Sequence, residues 1–271
     1  MTDRATSALA RIVETSALDA KAVATLNQQI HRHLLAVSPN LDTANFRTVQ
    51  SADLRCLFDQ YDRHFFDATI GANLDEAALN FRVSTRMTSA GGRTVRFATR
   101  GRPDHTRYEI SVSATLLFQC FTANDHRPIS VSGVSCRNRL EALQRIMEHE
   151  LVHVIEGLLW ERSNCSATRF RSIASRFFGH RGSTHALITP REHAAVRFGI
   201  RPGVRVRFVE GGIHRIGFVN RVTRRASVLV TDADGNLFSD GQRYATFYVP
   251  VEQLEIVETD LAERREPRFL E

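Results

Sequence analysis

His149 and His153 stand four residues apart in the segment His149-Glu150-Leu151-Val152-His153. On an α-helix that spacing puts two imidazoles on one face, one turn apart, within reach of a single ion. Neutral imidazole nitrogen binds zinc at about 2.0–2.1 Å, and a catalytic zinc keeps one position open for water or substrate. Glu150 can serve that open position without being a ligand. Zinc lowers the pKa of a coordinated water toward about 7, and a nearby carboxylate can then take the proton. The chemistry implied is attack of that water on a carbonyl polarised by the metal. A third ligand is needed. Cys165 follows His153 within the polar stretch 163–166, and thiolate binds zinc at about 2.3 Å. The alternatives for the third ligand are His180 or His185, or a carboxylate or water from elsewhere.

The elements around these residues must hold them still. Leu140, Leu143, Ile146, Met147, Leu151, Val154, Ile155 and Leu158 recur at helical spacing, which predicts a helix from about 138 to 160. A chance histidine pair on a free surface helix would lack such a broad apolar stripe. A further helix is expected over 167–178, with Phe170, Ile173, Ala174 and Phe177 inward. Upstream, residues 5–37 read as one amphipathic helix ended by Pro39, and 51–66 as a second. Between them and the motif, Leu79, Phe81 and Val83 alternate with polar residues, as do Tyr108, Ile110 and Val112. Gly91-Gly92 marks a turn before Val95 and Phe97, and together these segments suggest a small antiparallel sheet.

The last part changes character. Short strands are expected at 204–209, 213–222, 227–231 and 244–249, separated by glycine- and aspartate-rich turns. That spacing suggests a small SH3-like barrel. Residues 190–203 read as a connection. The predicted architecture is α+β: an N-terminal helical extension (1–45), a zincin-like domain (46–195) and an all-β barrel (202–260).

The 271-residue chain has room for these parts and carries 42% hydrophobic residues. No apolar run approaches the roughly 20 residues of a membrane span, and residues 1–10 hold no apolar signal core. The four cysteines form no C-x-x-C pair, which argues against a disulfide framework or a zinc ribbon and for the reducing cytoplasm. The formal net charge is +6. Lys21 is the only lysine, so arginine supplies almost all the basic charge. Arginine suits phosphate recognition, although a GC-rich coding sequence gives the same composition. Arg221, Arg224 and Arg225 cluster within the predicted barrel and are candidate nucleic-acid contacts.

From about Leu54 to Leu187, roughly half the chain, the sequence resembles the SprT-like family of zinc metalloproteases, which includes the Spartan proteases. The resemblance lies in His64-Phe65-Phe66, in Phe81-Arg82-Val83-Ser84-Thr85-Arg86-Met87 and in Tyr108-Glu109-Ile110-Ser111-Val112-Ser113. It continues through the H-E-x-x-H motif, Arg169-Phe170-Arg171-Ser172-Ile173-Ala174, Phe178-Gly179-His180 and His185-Ala186-Leu187. It implies zinc on His149 and His153, Glu150 as catalytic acid/base, and protein substrates, including proteins crosslinked to DNA. The family's third histidine corresponds to Ser166 here, and Cys165 beside it is the substitute. The C-terminal zinc ribbon of many members is absent, and the predicted SH3- or KOW-like barrel takes its place. A different class of function, a zinc-stabilised module that binds DNA or protein without cleaving, is consistent with the missing histidine.

Overall fold

A computed structural model describes residues 2–74, 78–99, 102–122 and 127–257. The chain divides into two compact units, 1–187 and 188–271; the boundary expected from sequence lay near 190–202.

In the first unit everything is arranged about one helix, α6 (Arg139–Trp160). Asn138 caps it by accepting a hydrogen bond from the Glu141 N–H at 2.8 Å. Its side chains are buried almost continuously from Leu140 to Gly157. A helix buried on nearly every face must be packed on several sides, and α2 (Ala20–Val37), α3 (Ser51–Phe66) and α7 (Thr168–Phe178) supply that cover. The single N-terminal helix expected over 5–37 is two helices, α1 (Thr2–Thr15) and α2. The break rests on one local and one distant contact: Asp19 caps α2 through the Ala22 N–H at 2.7 Å, and the Leu18 N–H is donated to the Arg176 carbonyl. Leu9, Ile30 and Leu34 are fully buried, so these helices belong to the core of the unit.

A three-stranded sheet, ordered β1-β3-β2, packs on α6 through its edge strand β2 (Gly92–Thr99). β2 is antiparallel to β3 (Arg102–Ser113), as expected, but β1 (Leu79–Ser84) runs parallel to β3. Period-two alternation does not encode strand direction, so the sequence could not show this. Two short elements went unread: α4 (Thr69–Ala72) and α5 (Ala114–Gln119). The strands β4 (Ile129–Val131), β5 (Val134–Cys136) and β6 (His185–Ala186) form a second small sheet, also unread.

The second unit opens with α8 (Pro190–Phe198), where the sequence suggested only a connection. Its signals are nevertheless present: Thr189 and Glu192 form a capping box, Pro190 stands at the first turn and Gly199 closes the helix with φ +70°. Strands β7 (Arg205–Glu210), β8 (Ile213–Val222), β9 (Ala226–Leu237), β10 (Arg243–Val249) and β11 (Glu255–Ile256) follow. They form one antiparallel sheet, ordered β10-β9-β8-β7-β11, over a core that includes Val206, Phe208, Val219 and Val228. Among the described residues no ladder joins β10 to β11, so the expected barrel is seen as an open five-stranded sheet.

Candidate metal centre

Three predicted ligands converge. The donor atoms of His149, His153 and Cys165 all lie within 4.8 Å of one another, the one such group of metal-ligating side chains among the described residues. In a tetrahedral site with bonds of about 2.0–2.3 Å, ligand atoms stand roughly 3.3–3.7 Å apart, so closing on an ion asks for a contraction of at most roughly 1.5 Å. The two imidazoles meet edge to face with centroids 5.0 Å apart, and the Phe170 ring packs against both, at 4.8 Å from His149 and 4.6 Å from His153.

Burial is the main cause that lowers the pKa of both histidines, that of His149 to about 2 with help from neighbouring His185 and His153. The protonated form is thereby disfavoured, and a metal ligand must be the neutral form.

The ring nitrogens are oriented by partners that the sequence reading missed. His153 Nδ1 lies 2.6 Å from Ser163 Oγ, which in turn lies 2.6 Å from Glu156 Oε2. Glu156 is fully buried and ion-paired with Arg169 at 2.7 Å. A carboxylate only accepts, so the single hydroxyl proton of Ser163 goes to Glu156. Ser163 Oγ must then accept from His153 Nδ1–H, which leaves Nε2 with its lone pair for a metal. Glu156 Oε2 also accepts the Asn164 N–H at 3.2 Å, so one carboxylate holds both the ring and the loop that carries Cys165. Glu161, at the end of α6 with φ +58°, turns the chain into this loop.

His149 Nδ1 lies 3.3 Å from Ser132 Oγ. Ser132 and Gly133 are the two central residues of the β4–β5 hairpin, at φ +52° and +73°, as a tight primed turn requires. Serine in the left-handed region is strained. Its conformation is held by the Ser132 carbonyl, which accepts the N–H groups of Arg181 and Gly182.

Glu150 is 2% exposed. Thr94, on β2, donates its hydroxyl to Glu150 Oε2 at 2.7 Å. Oε1 makes no such bond and is not among the sealed, unpartnered buried atoms, so it is the oxygen that stays available. Burial pushes the Glu150 carboxyl up to about 7 against the lowering effect of the Thr94 hydrogen bond. The role of Gly91 and Gly92 is close approach: a Cβ on Gly92 would sit 2.5 Å from Glu150 Oε1, and one on Gly91 2.8 Å from His185 Nδ1.

The alternative ligands are placed differently. His180 is buried with Nε2 2.8 Å from Glu148 Oε2, and Glu148 also meets Arg145 at 2.9 Å and Tyr61 Oη at 2.8 Å. That engagement commits the His180 Nε2 to the carboxylate. His185 stands beside His149, ring centroids 4.8 Å apart, outside the converging set. Its Nε2 is buried without a hydrogen-bond partner, and burial lowers its pKa to about 4. Arg221, Arg224 and Arg225 sit exposed where β8 turns into β9, with Arg225 reaching the Tyr248 carbonyl at 3.4 Å.

No protein-family model matches the chain, and no curated protein or solved structure does. No helix among the described residues is long and apolar enough to cross a membrane.

Proposed function

We propose that the chain is a zinc-dependent metallopeptidase of zincin-like, SprT-like type, acting in the cytoplasm on proteins, including proteins associated with DNA. The observation that carries this reading is the convergence of His149, His153 and Cys165 beside a buried carboxylate on the same helix. The donor set fits zinc: two imidazoles disfavoured as cations, each with its Nδ1 turned to a serine, and one thiol. When bound there, zinc would acidify water and polarise the peptide carbonyl. Glu150 Oε1 would take a proton from the attacking water and return it to the leaving amine. Thr94 holds the other carboxylate oxygen, so Oε1 presents a fixed basic edge. The second unit, read as an SH3- or KOW-like module, would dock protein or DNA through Arg221, Arg224 and Arg225.

Purified Glu150→Gln protein is expected to retain zinc by mass spectrometry while peptide cleavage falls by about 10²–10⁴-fold, the usual worth of a general base. Undiminished cleavage by this variant would rule the mechanism out. Cys165→Ala is expected to lose zinc; zinc kept there but lost in His185→Ala would move the third ligand to His185.

One observation favours a second reading. A thiolate donates more charge than the imidazole that the SprT-like pattern has, which makes zinc a weaker Lewis acid. A zinc-stabilised binding module then predicts salt-sensitive DNA binding with no turnover in any metal state. Chelator-sensitive cleavage excludes it.

A further inference from the structure

A second site lies on another part of the first unit, and it does not depend on the hydrolytic reading. A groove of about 1130 Å³ runs along α2 and is closed by the β4–β5 turn, the first turns of α6 and the loop after α7. That size accommodates a small organic ligand.

Its charge is one-sided. Lys21, Arg32, Arg137, Arg145 and Arg181 line it against a single carboxylate, Glu141. Glu141 is already held by Arg137 at 2.7 Å. Lys21, Arg32 and Arg181 have no acidic partner among the described residues. Three uncompensated cations gathered around one concavity repel one another, and a bound anion removes that repulsion.

The recessed end of the groove holds a preorganised donor. Arg145 is only 8% exposed and pairs with Glu148. The Glu148 carboxylate also meets His180 and Tyr61, so it is shared and its position is fixed. Guanidinium has five N–H donors. Arg145 lines the groove and none of its nitrogens is both sealed and unpartnered, so its guanidinium has donors to offer beyond the Glu148 pair. A fixed guanidinium at the back and exposed cations at the mouth suit several linked anionic groups. A duplex presents its phosphates on a convex surface and cannot bring them to a recessed Arg145.

We propose that this groove binds a small ligand carrying a di- or triphosphate. The rim cations would hold the terminal phosphates and Arg145 the innermost one.

The test is calorimetric titration of the full chain with inorganic triphosphate, with ATP, and with a single-stranded DNA 20-mer. Lys21, Arg32 and Arg181 are exposed, so K21Q/R32Q/R181Q is expected to fold, and its circular dichroism and melting are compared with the parent. Saturable one-to-one binding of triphosphate or ATP, weakened at least tenfold in K21Q/R32Q/R181Q and unchanged in R63Q, an exposed arginine outside the groove, supports the proposal. Tighter binding of ATP than of triphosphate identifies a nucleotide, and the reverse a simple polyphosphate. No saturable binding overturns it. So does heat that persists in K21Q/R32Q/R181Q, as metal stripping by the polyphosphate would. DNA binding tighter than either phosphate ligand, and lost in the same variant, also overturns it in favour of a nucleic-acid groove.

Discussion

Ser163 decides which nitrogen of His153 is free. Its hydroxyl is committed to Glu156, so it can only accept from the ring, and the lone pair is left on Nε2. Removing that oxygen leaves the ring free to turn and leaves Glu156 short of one donor. Ser163→Ala is therefore expected to weaken zinc binding about 10–100-fold, measured by competition with a chromophoric chelator. Affinity equal to the parent's would show that the relay does not orient the ligand. The sequence makes the two histidines and Glu150 easy to find, because a single helix presents all three. Ser163, Glu156, Thr94 and Ser132 were not legible. Ser163, Thr94 and Ser132 reach the site from a loop, a strand and a turn, and nothing in their spacing from the motif encodes that contact. Glu156 lies on α6 itself, where its position suggests a solvated or structural glutamate; it is fully buried and meets the ring only through Ser163.

At the level of elements, α6 was legible almost to the residue, since its apolar pattern is long and capped by Asn138. The N-terminal pattern was legible as helix but not as two helices, because the break depends on Leu18 pairing with distant Arg176. Gly91-Gly92 was read as a turn, whereas β2 begins at Gly92 and passes against the Glu150 carboxylate. The absent side chains let the strand edge approach the helix. Gly92→Ala would force its methyl to within 2.5 Å of Oε1 and 2.7 Å of Ile146 Cγ2, so either β2 or Glu150 must shift. Overpacking of this kind costs about 1–3 kcal/mol. We expect a comparable loss of stability in urea titrations, a cleavage rate at least tenfold lower, and zinc content unchanged. Parent-like cleavage by Gly92→Ala would mean that the β2–Glu150 approach has no part in the reaction.

For the whole molecule, the His149–His153–Cys165 cluster joins α6 to the loop that precedes α7, both within the first unit. An ion bound there stabilises the folded form by mass action, about 4 kcal/mol when free metal is a thousandfold above its Kd. Trp160, the chain's single tryptophan, closes α6 with the Arg169 guanidinium 4.3 Å from its ring centroid. It reports on this region without a label. Chelation is expected to lower the urea midpoint followed by Trp160 fluorescence, and added zinc to restore it. A midpoint indifferent to chelator would show that no ion is held there in the native protein. The mixed α+β character was legible because helical and strand periodicities occupy separate stretches. Closure of the C-terminal strands was not, since alternation gives the face of each strand but not whether the first and last meet.

The Ser132-Gly133 turn occupies a singular position. Ser132 touches the His149 ring, and the very next residue, Gly133, forms part of the wall of the basic groove. One peptide link thus has an imidazole at one end and the anion cavity at the other, and its carbonyl is clamped by Arg181 and Gly182. The groove cannot be reshaped at this corner without disturbing the support of the His149 ring.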